Sequence, residues 1–116
     1  MKKSAPASAT SMNALRKTVN AMTNKEQAIL QCAINIYGVD AQIDIAVEEC
    51  SELIKALMKF RRGSGEETTA HDVCEEIADV EIMVDQLRLV FDSEYVDFVR
   101  EEKIKRLEQR LDGDNK

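Results

Sequence analysis

The sequence is poor in residues that interrupt helices or build sheets. Its 116 residues include four glycines and one proline, and aromatic residues make up only 4%. Charged residues make up 33%, as is common in helical proteins whose outer faces meet water. The length suits a single domain that buries a core without disulfides or structural metal. We therefore predict one all-α domain.

The sequence also lacks a basic excess and long apolar runs. Its formal net charge of -6 argues against nucleic-acid or anionic-membrane partners, because both require a basic surface. No apolar run approaches the length of a membrane span. The first residues, MKKSAPASATSMN, have no apolar segment of the kind found in secretory signals. We expect a cytoplasmic protein with no nucleic-acid or membrane partner.

Cysteine is scarce and shows no pairing pattern. Cys32, Cys50 and Cys74 are odd in number, widely spaced and without a C-x-x-C arrangement. They fall at apolar or boundary positions of predicted helices, so we expect buried free thiols. Free thiols fit a reducing cytoplasm.

Capping residues predict where the first two helices lie. Residues 1–22 are predicted to be a flexible segment, with a short helix at 13–22 as an option. Thr23 followed by Glu26 predicts a capping box for a helix that ends near Gly38. Asp40 is predicted to cap the next helix, from about residue 41 to residue 62.

Two more helices are predicted in the second half of the chain. Thr69 with Asp72 predicts a start, and this helix continues to about residue 91. Ser93 and Glu94 begin the last helix, which runs to Leu111 and is closed by Gly113. The short connections predict antiparallel packing, as in a four-helix bundle. Residues 23–112 then form the domain, and residues 113–116 a tail.

The acidic residues of the second and third predicted helices border apolar stripes. At about 100° per residue, the main stripe of the second helix comprises Ile43, Val47, Cys50, Ile54 and Leu57. Glu49 lies on a flanking apolar strip that Glu52 borders, formed by Ile45, Leu53, Ala56 and Phe60. Glu76 lies at the edge of the third helix's stripe, with Asp79 one turn on; that stripe comprises Val73, Ile77, Val80, Val84 and Leu87.

These carboxylates have few counter-charges nearby, since no Lys or Arg occurs from Gly63 to Gln86. A carboxylate at an apolar edge is costly unless it is protonated, paired with a base or bound to a cation. Antiparallel pairing would bring Glu49 and Glu52 opposite Glu76 and Asp79. Four carboxylates form an all-oxygen site that suits Mg²⁺ or Mn²⁺.

A second interpretation needs no metal or reaction. Acid-rich helix faces are usually solvated, and Glu48, Glu75, Glu81 and Asp85 are most simply surface residues. The chain would then be a non-catalytic helical interaction protein with a solvated acidic face or a structural metal site. Its binding surface would be the last helix, where apolar residues and one lysine stand near heptad spacing at Val96, Val99, Lys103, Leu107 and Leu111.

The two acidic stretches also form a known pattern. EECSE at residues 48–52 and EIAD at residues 76–79 read as EExxE followed, after 23 residues, by ExxD. This resembles the MazG-like family of all-α nucleotide pyrophosphohydrolases, over about residues 25–111. The resemblance implies a four-helix core completed as a homodimer or homotetramer. It implies Mg²⁺-dependent hydrolysis of a nucleoside triphosphate to the monophosphate and pyrophosphate by a metal-activated water.

The resemblance also implies roles for individual residues. Glu49, Glu52, Glu76 and Asp79 match the family's metal ligands, and Glu48 matches the first acid of the motif, either supporting a ligand or orienting water. Three basic residues resemble those that meet substrate phosphates: Lys59, Lys103 and Arg106. Within the family, removal of unwanted deoxynucleotides is favoured over the histidine-pathway reaction.

Overall fold

The computed structural model describes residues 22–63 and 67–115, and the described residues are all helical apart from caps and turns. The four helices, in chain order, are α1 (Asn24–Tyr37), α2 (Val39–Arg62), α3 (Glu67–Val90) and α4 (Ser93–Asp114). The predicted all-α class is confirmed. The optional helix at 13–22 lies outside the described residues except for Met22, which precedes α1 and is not helical.

Local sequence signals fix several helix ends. At the start of α1, Thr23 Oγ1 accepts a hydrogen bond from Glu26 N at 3.1 Å, and Glu26 Oε1 accepts one from Thr23 N at 2.9 Å. The predicted capping box is therefore confirmed. Gly38 separates α1 from α2 and has φ 94°, a backbone conformation that residues with a Cβ rarely adopt. The glycine is thus what allows the chain to turn there.

Other helix ends differ from the prediction. Asp40 does not cap α2, because the helix already begins at Val39 and its N-cap residue is Gly38. Gly38 has no side chain, so this end has no side-chain cap hydrogen bond. Glu67, rather than Thr69, begins α3. The last helix does begin at Ser93, as predicted, and Asp92 caps it by accepting a hydrogen bond from Tyr95 N at 3.1 Å. The last helix passes through the glycine predicted to close it and ends at Asp114.

The body of the fold is a three-helix arrangement in which α2 and α3 form the most extensive pair. Among the described helices, α1 packs against both α2 and α3, whereas α4 contacts α3 alone. The two central helices are each 24 residues long and joined by a four-residue connection, so they run antiparallel. Ala46 of α2 and Met83 of α3 are buried between the helices.

The predicted apolar stripe of α2 is not the face that packs in this chain. Val47 and Ile54 are both 61% exposed, and Cys50 is exposed as well. The flanking strip packs only in part, because Leu53 and Ala56 are half-buried whereas Ile45 and Phe60 are exposed. The less exposed positions of α2 are Gln42, Ile43, Ala46, Glu49, Glu52, Leu53 and Ala56. On α3, Ile77 and Val84 are also exposed, while Met83 is buried. The packed face of α2 thus includes Ala46, which belongs to neither predicted strip, and only part of the flanking strip.

The described residues bury little apolar surface. Only Ile34, Ala46 and Met83 are buried apolar residues among them. The expectation of buried cysteines is wrong, because Cys32, Cys50 and Cys74 are all exposed. None of the described helices combines the length and apolar character needed to cross a membrane.

Candidate functional site

Three carboxylates converge between α2 and α3. Glu49, Glu76 and Asp79 each place one oxygen so that the three atoms lie within 4.8 Å of one another. Glu76 and Asp79 are three residues apart and so share a face of α3. Glu49 meets them from α2, and all three residues are half-buried. The site joins the two sequence motifs.

Mutual repulsion and partial loss of solvent perturb this cluster. Partial burial raises the pKa of Glu76 above its ordinary value, the charge of Asp79 raises it further, and a side-chain hydrogen bond with Asp79 stabilises the protonated form. Partial burial is also the largest cause of the raised pKa of Glu49. The charges of Asp79, Glu48 and Glu52 raise it further, in that order of size. Both shifts mean that the charged forms lack sufficient compensation from neighbouring bases.

Glu52 lies beside this cluster rather than within it. Its Oε1 accepts a hydrogen bond from Lys55 Nζ at 3.2 Å, one turn along α2. The charge of Glu52 still raises the pKa of both Glu49 and Glu76. Of the four predicted ligands, the structure thus brings three together and leaves Glu52 adjacent. Glu48 is exposed on α2, and it acts on the cluster through its charge.

A cleft of about 240 Å³ extends from the carboxylates between α2 and α3. It is lined by Glu52, Lys55, Ala56, Lys59, Thr69, Asp72, Glu75 and Glu76. Lys59, predicted to meet substrate phosphates, therefore lines the same cleft as Glu76, one member of the acidic cluster. Lys55 lines the same cleft, although its side chain is 73% exposed. Its position one turn from Glu52 was the sequence signal that it belongs there.

The other two predicted phosphate-binding residues lie elsewhere in the chain. Lys103 and Arg106 are on α4, which contacts α3 alone among the described helices. Lys103 borders an open apolar groove on α4 itself, together with Tyr95, Val96, Val99, Arg100 and Ile104. The structure does not bring these two bases to the carboxylates of the same chain.

The donor set fits a hard divalent cation. All three converging groups are carboxylates, with no histidine or thiol among them. Mg²⁺ and Mn²⁺ prefer such oxygen ligands. A bound cation would also supply the positive charge that the raised pKa values of Glu49 and Glu76 indicate is missing.

No protein-family model matches the chain, and searches of curated proteins and of solved structures found no significant match.

Proposed function

We propose that this chain is a Mg²⁺-dependent nucleoside triphosphate pyrophosphohydrolase that releases a monophosphate and pyrophosphate. The observation that carries the proposal is the convergence of Glu49, Glu76 and Asp79 beside a cleft that contains Lys59. Carboxylates that hold a cation and an ammonium group that meets phosphate are two recurring components of sites that cleave phosphoric anhydrides with water.

In this proposal the chain's residues have separate tasks. Glu49, Glu76 and Asp79 would hold the cation, with Glu52 completing the set. Glu52 can give up its ion pair with Lys55 at little cost, because both side chains are substantially exposed. When bound, Mg²⁺ supplies charge neutralisation at the phosphate oxygens and lowers the pKa of water.

The cleft then orients the phosphate chain of the substrate. Lys55 and Lys59 are positioned to donate charge-assisted hydrogen bonds to phosphate oxygens. This contact holds the pyrophosphate portion and offsets its charge as it departs. Glu48 borders the cluster from the exposed side of α2, where it would orient water or support the conformation of Glu49. Deoxynucleoside triphosphates are the favoured substrates.

A homodimer or homotetramer is part of the proposal. The few buried apolar residues of the described helices are a small core for a stable domain. A second copy would cover the exposed stripe of α2, where Val47, Ile54 and Leu57 face outward. An assembly also offers a route by which Lys103 and Arg106 of a neighbouring copy reach the carboxylates. The exposed free thiols favour a reducing, cytoplasmic location.

The direct test is to incubate purified protein with a panel of ribo- and deoxynucleoside triphosphates. Each reaction contains Mg²⁺ or Mn²⁺, and pyrophosphate release is measured with a matched reaction containing a chelator. We expect metal-dependent release of pyrophosphate and monophosphate in equal amounts. Absence of turnover across the panel contradicts the proposal, as does release of orthophosphate alone.

One observation favours the non-catalytic alternative. Most apolar residues of α4 are exposed, Leu107 and Leu111 among them, and α3 is the only helix of the described part of the chain that it contacts. A helix with this character can bind a groove on another protein. The alternative predicts no pyrophosphate release and binding of a partner that Leu107→Asp abolishes, whereas Glu76→Gln leaves that binding unchanged.

A further inference from the structure

Two glutamines are more deeply buried than their chemistry favours. Gln42 on α2 is 5% exposed and Gln86 on α3 is 2% exposed. A buried amide group is unfavourable unless each of its polar atoms finds a hydrogen-bond partner. These two residues therefore require a structural explanation that the acidic site does not supply.

The atoms without partners are complementary. Gln86 Nε2 donates a hydrogen bond to the backbone oxygen of Leu30 on α1, at 3.4 Å. Gln86 Oε1 has no partner among the described residues, and neither has Gln42 Nε2. The first of these atoms is an acceptor and the second is a donor. The two atoms do not bond each other directly, so a bridging group that both accepts and donates, such as water, is needed to satisfy both.

The antiparallel register places both glutamines at one level of the α2–α3 pair. Gln42 lies seven residues before Glu49, and Gln86 lies seven residues after Asp79. Seven residues are about two turns, or about 10 Å along a helix. Since Glu49 meets Asp79 across the pair, the same antiparallel register puts Gln42 and Gln86 at about one level along the two helices. Buried Ala46 and Met83 lie between the two levels.

We infer that Gln42 Nε2 and Gln86 Oε1 are joined by a hydrogen-bonded link that fixes the register of α2 against α3. One enclosed water molecule can complete the link by accepting from the amide nitrogen and donating to the carbonyl oxygen. Apolar contacts tolerate sliding by one turn, whereas sliding separates a buried polar pair and leaves both atoms unsatisfied. Gln42 and Gln86 are thus positioning residues for the carboxylate cluster.

The first experiment is a double-mutant cycle with Gln42→Met and Gln86→Met, which keep side-chain length and remove hydrogen bonding. In the parent protein, Gln42→Met is expected to lower the equilibrium ratio of folded to unfolded protein about tenfold, because it leaves Gln86 Oε1 buried without a donor. In the Gln86→Met background the same change is expected to have less than about a threefold effect. Additive effects contradict the link, and so does a double variant that fails to fold when both single variants fold.

Gln31→Met is the matched control, because Gln31 Nε2 donates to Asn35 Oδ1 at 3.0 Å on an exposed face of α1. It removes an amide hydrogen bond without leaving a buried atom unsatisfied, so a change of less than about threefold is expected. All variants are compared at one protein concentration, because association alters apparent stability.

The second experiment measures the register itself. Cys50 on α2 and Cys74 on α3 are exposed, so both accept spin labels in a Cys32→Ser background. Labelled chains are diluted with unlabelled chains lacking cysteine, so that distances within one chain dominate. The parent is expected to give one narrow distance distribution, and the double Met variant a broadened one. A second population displaced by about one turn, or about 5 Å, is the specific signature.

An unchanged distribution in the double Met variant overturns the positioning role. If the double variant does not fold, the spin-label distances are measured in the Gln42→Met variant instead. That variant keeps the hydrogen bond from Gln86 Nε2 to the backbone oxygen of Leu30. The consequence for turnover rests on the proposed function, but the register does not. A protein without pyrophosphohydrolase activity that still shows the shift refutes the function and supports the link.

Discussion

Glu49 and Asp79 hold carboxylate oxygens within 4.8 Å of one another although they stand on different helices. Glu76 completes the group, and partial burial with these neighbouring charges raises the pKa of both Glu49 and Glu76. Like charges held this close destabilise the fold unless a cation or a proton joins them. The predictions below follow from that relationship and from the surfaces around it.

Replacing Glu76 by Gln removes one carboxylate and keeps the side chain's size. We expect kcat/KM for the best nucleoside triphosphate to fall at least about 100-fold, because the cation that would neutralise the phosphate oxygens loses one of its carboxylate ligands. Helicity by circular dichroism and the sedimentation coefficient should be unchanged. Glu81→Gln is the control, since Glu81 is exposed on the same helix. Full activity in Glu76→Gln removes this residue from the site.

The stability of the metal-free protein should depend on pH through Glu49 and Glu76. Raised pKa values mean that the folded chain retains protons where the unfolded chain has lost them. The free energy of unfolding therefore falls as pH rises through a window that begins near the ordinary pKa of 4.5 and ends at the raised values. Thermal unfolding of the parent and of Glu49→Gln/Glu76→Gln, compared between pH 4.5 and 7, isolates this contribution.

Mg²⁺ should reverse that loss near neutral pH. We expect the melting temperature of the parent to rise with added Mg²⁺ at pH 7 and to rise less near pH 4.5, where protons compete for the carboxylates. The double Gln variant should not respond at either pH. An equal response of parent and variant would place the bound cation elsewhere on the chain.

Substituting Lys59 by Met should weaken substrate binding. Lys59 lines the cleft beside Glu76, and loss of one charge-assisted contact to phosphate corresponds to about a 10- to 100-fold loss of kcat/KM. The loss is expected chiefly in KM if the contact is equally strong in the ground and transition states. Lys105→Met is the matched control, because Lys105 pairs only with Glu101 and Glu102 on α4 in the described structure. Equal effects of the two substitutions contradict the assignment.

Ile54→Asp should disrupt the proposed assembly. Ile54 is exposed at the centre of the apolar stripe of α2, and a buried unpaired carboxylate there is incompatible with a close interface. Analytical ultracentrifugation should show a smaller species than the parent. Gln31→Asp adds the same charge at an exposed polar position of α1 and should leave the assembly intact. A parent that sediments as a monomer at all concentrations removes this part of the proposal.

Arg88 should fix the direction in which α4 leaves α3. Its Nη1 donates to Asp97 Oδ1 at 2.8 Å and to Ser93 Oγ at 3.0 Å, across the connection between the two helices. Arg88→Met should lower the free energy of unfolding by about 1 kcal/mol, a modest value because the Asp97 side chain is 67% exposed. Chemical denaturation measures the change, with Lys105→Met again as the control. A difference below about 0.3 kcal/mol between the two variants contradicts the role.

Local sequence signals predicted the helices well because each acts through nearby backbone groups. The capping box at Thr23 and Glu26 depends only on hydrogen bonds within one turn. Gly38 ends α1 because its φ of 94° suits glycine. Asp40 was a plausible cap by type, but the helix had already begun at Val39. The sequence therefore shows which residues are able to cap a helix. Which of several candidates does so depends on where the chain turns.

The packing face of α2 was not predictable in the same way. The helix carries two apolar strips, and periodicity alone favoured the one with Val47 and Ile54. In the structure the packed face of α2 runs through Ala46, which belongs to neither predicted strip, and through Leu53 of the flanking strip, whereas Val47 and Ile54 are exposed. A sequence records how many apolar faces a helix has, but not which of them meets a helix of its own chain. The exposure of Cys50 follows from the same choice.

The sequence by itself determined the helices and the scarcity of bases near the acidic motifs, because both depend on residue type and on spacing along the chain. It also predicted that Glu49 and Glu52 would lie opposite Glu76 and Asp79, since a short connection favours antiparallel packing of the two helices. Tertiary structure decided which charged groups meet. Glu52 pairs with Lys55 instead of joining the other three acids. Lys103 and Arg106 lie on α4, away from the carboxylates of the same chain. These outcomes depend on helix rotation and on the direction of α4, which are set by contacts between residues distant in sequence.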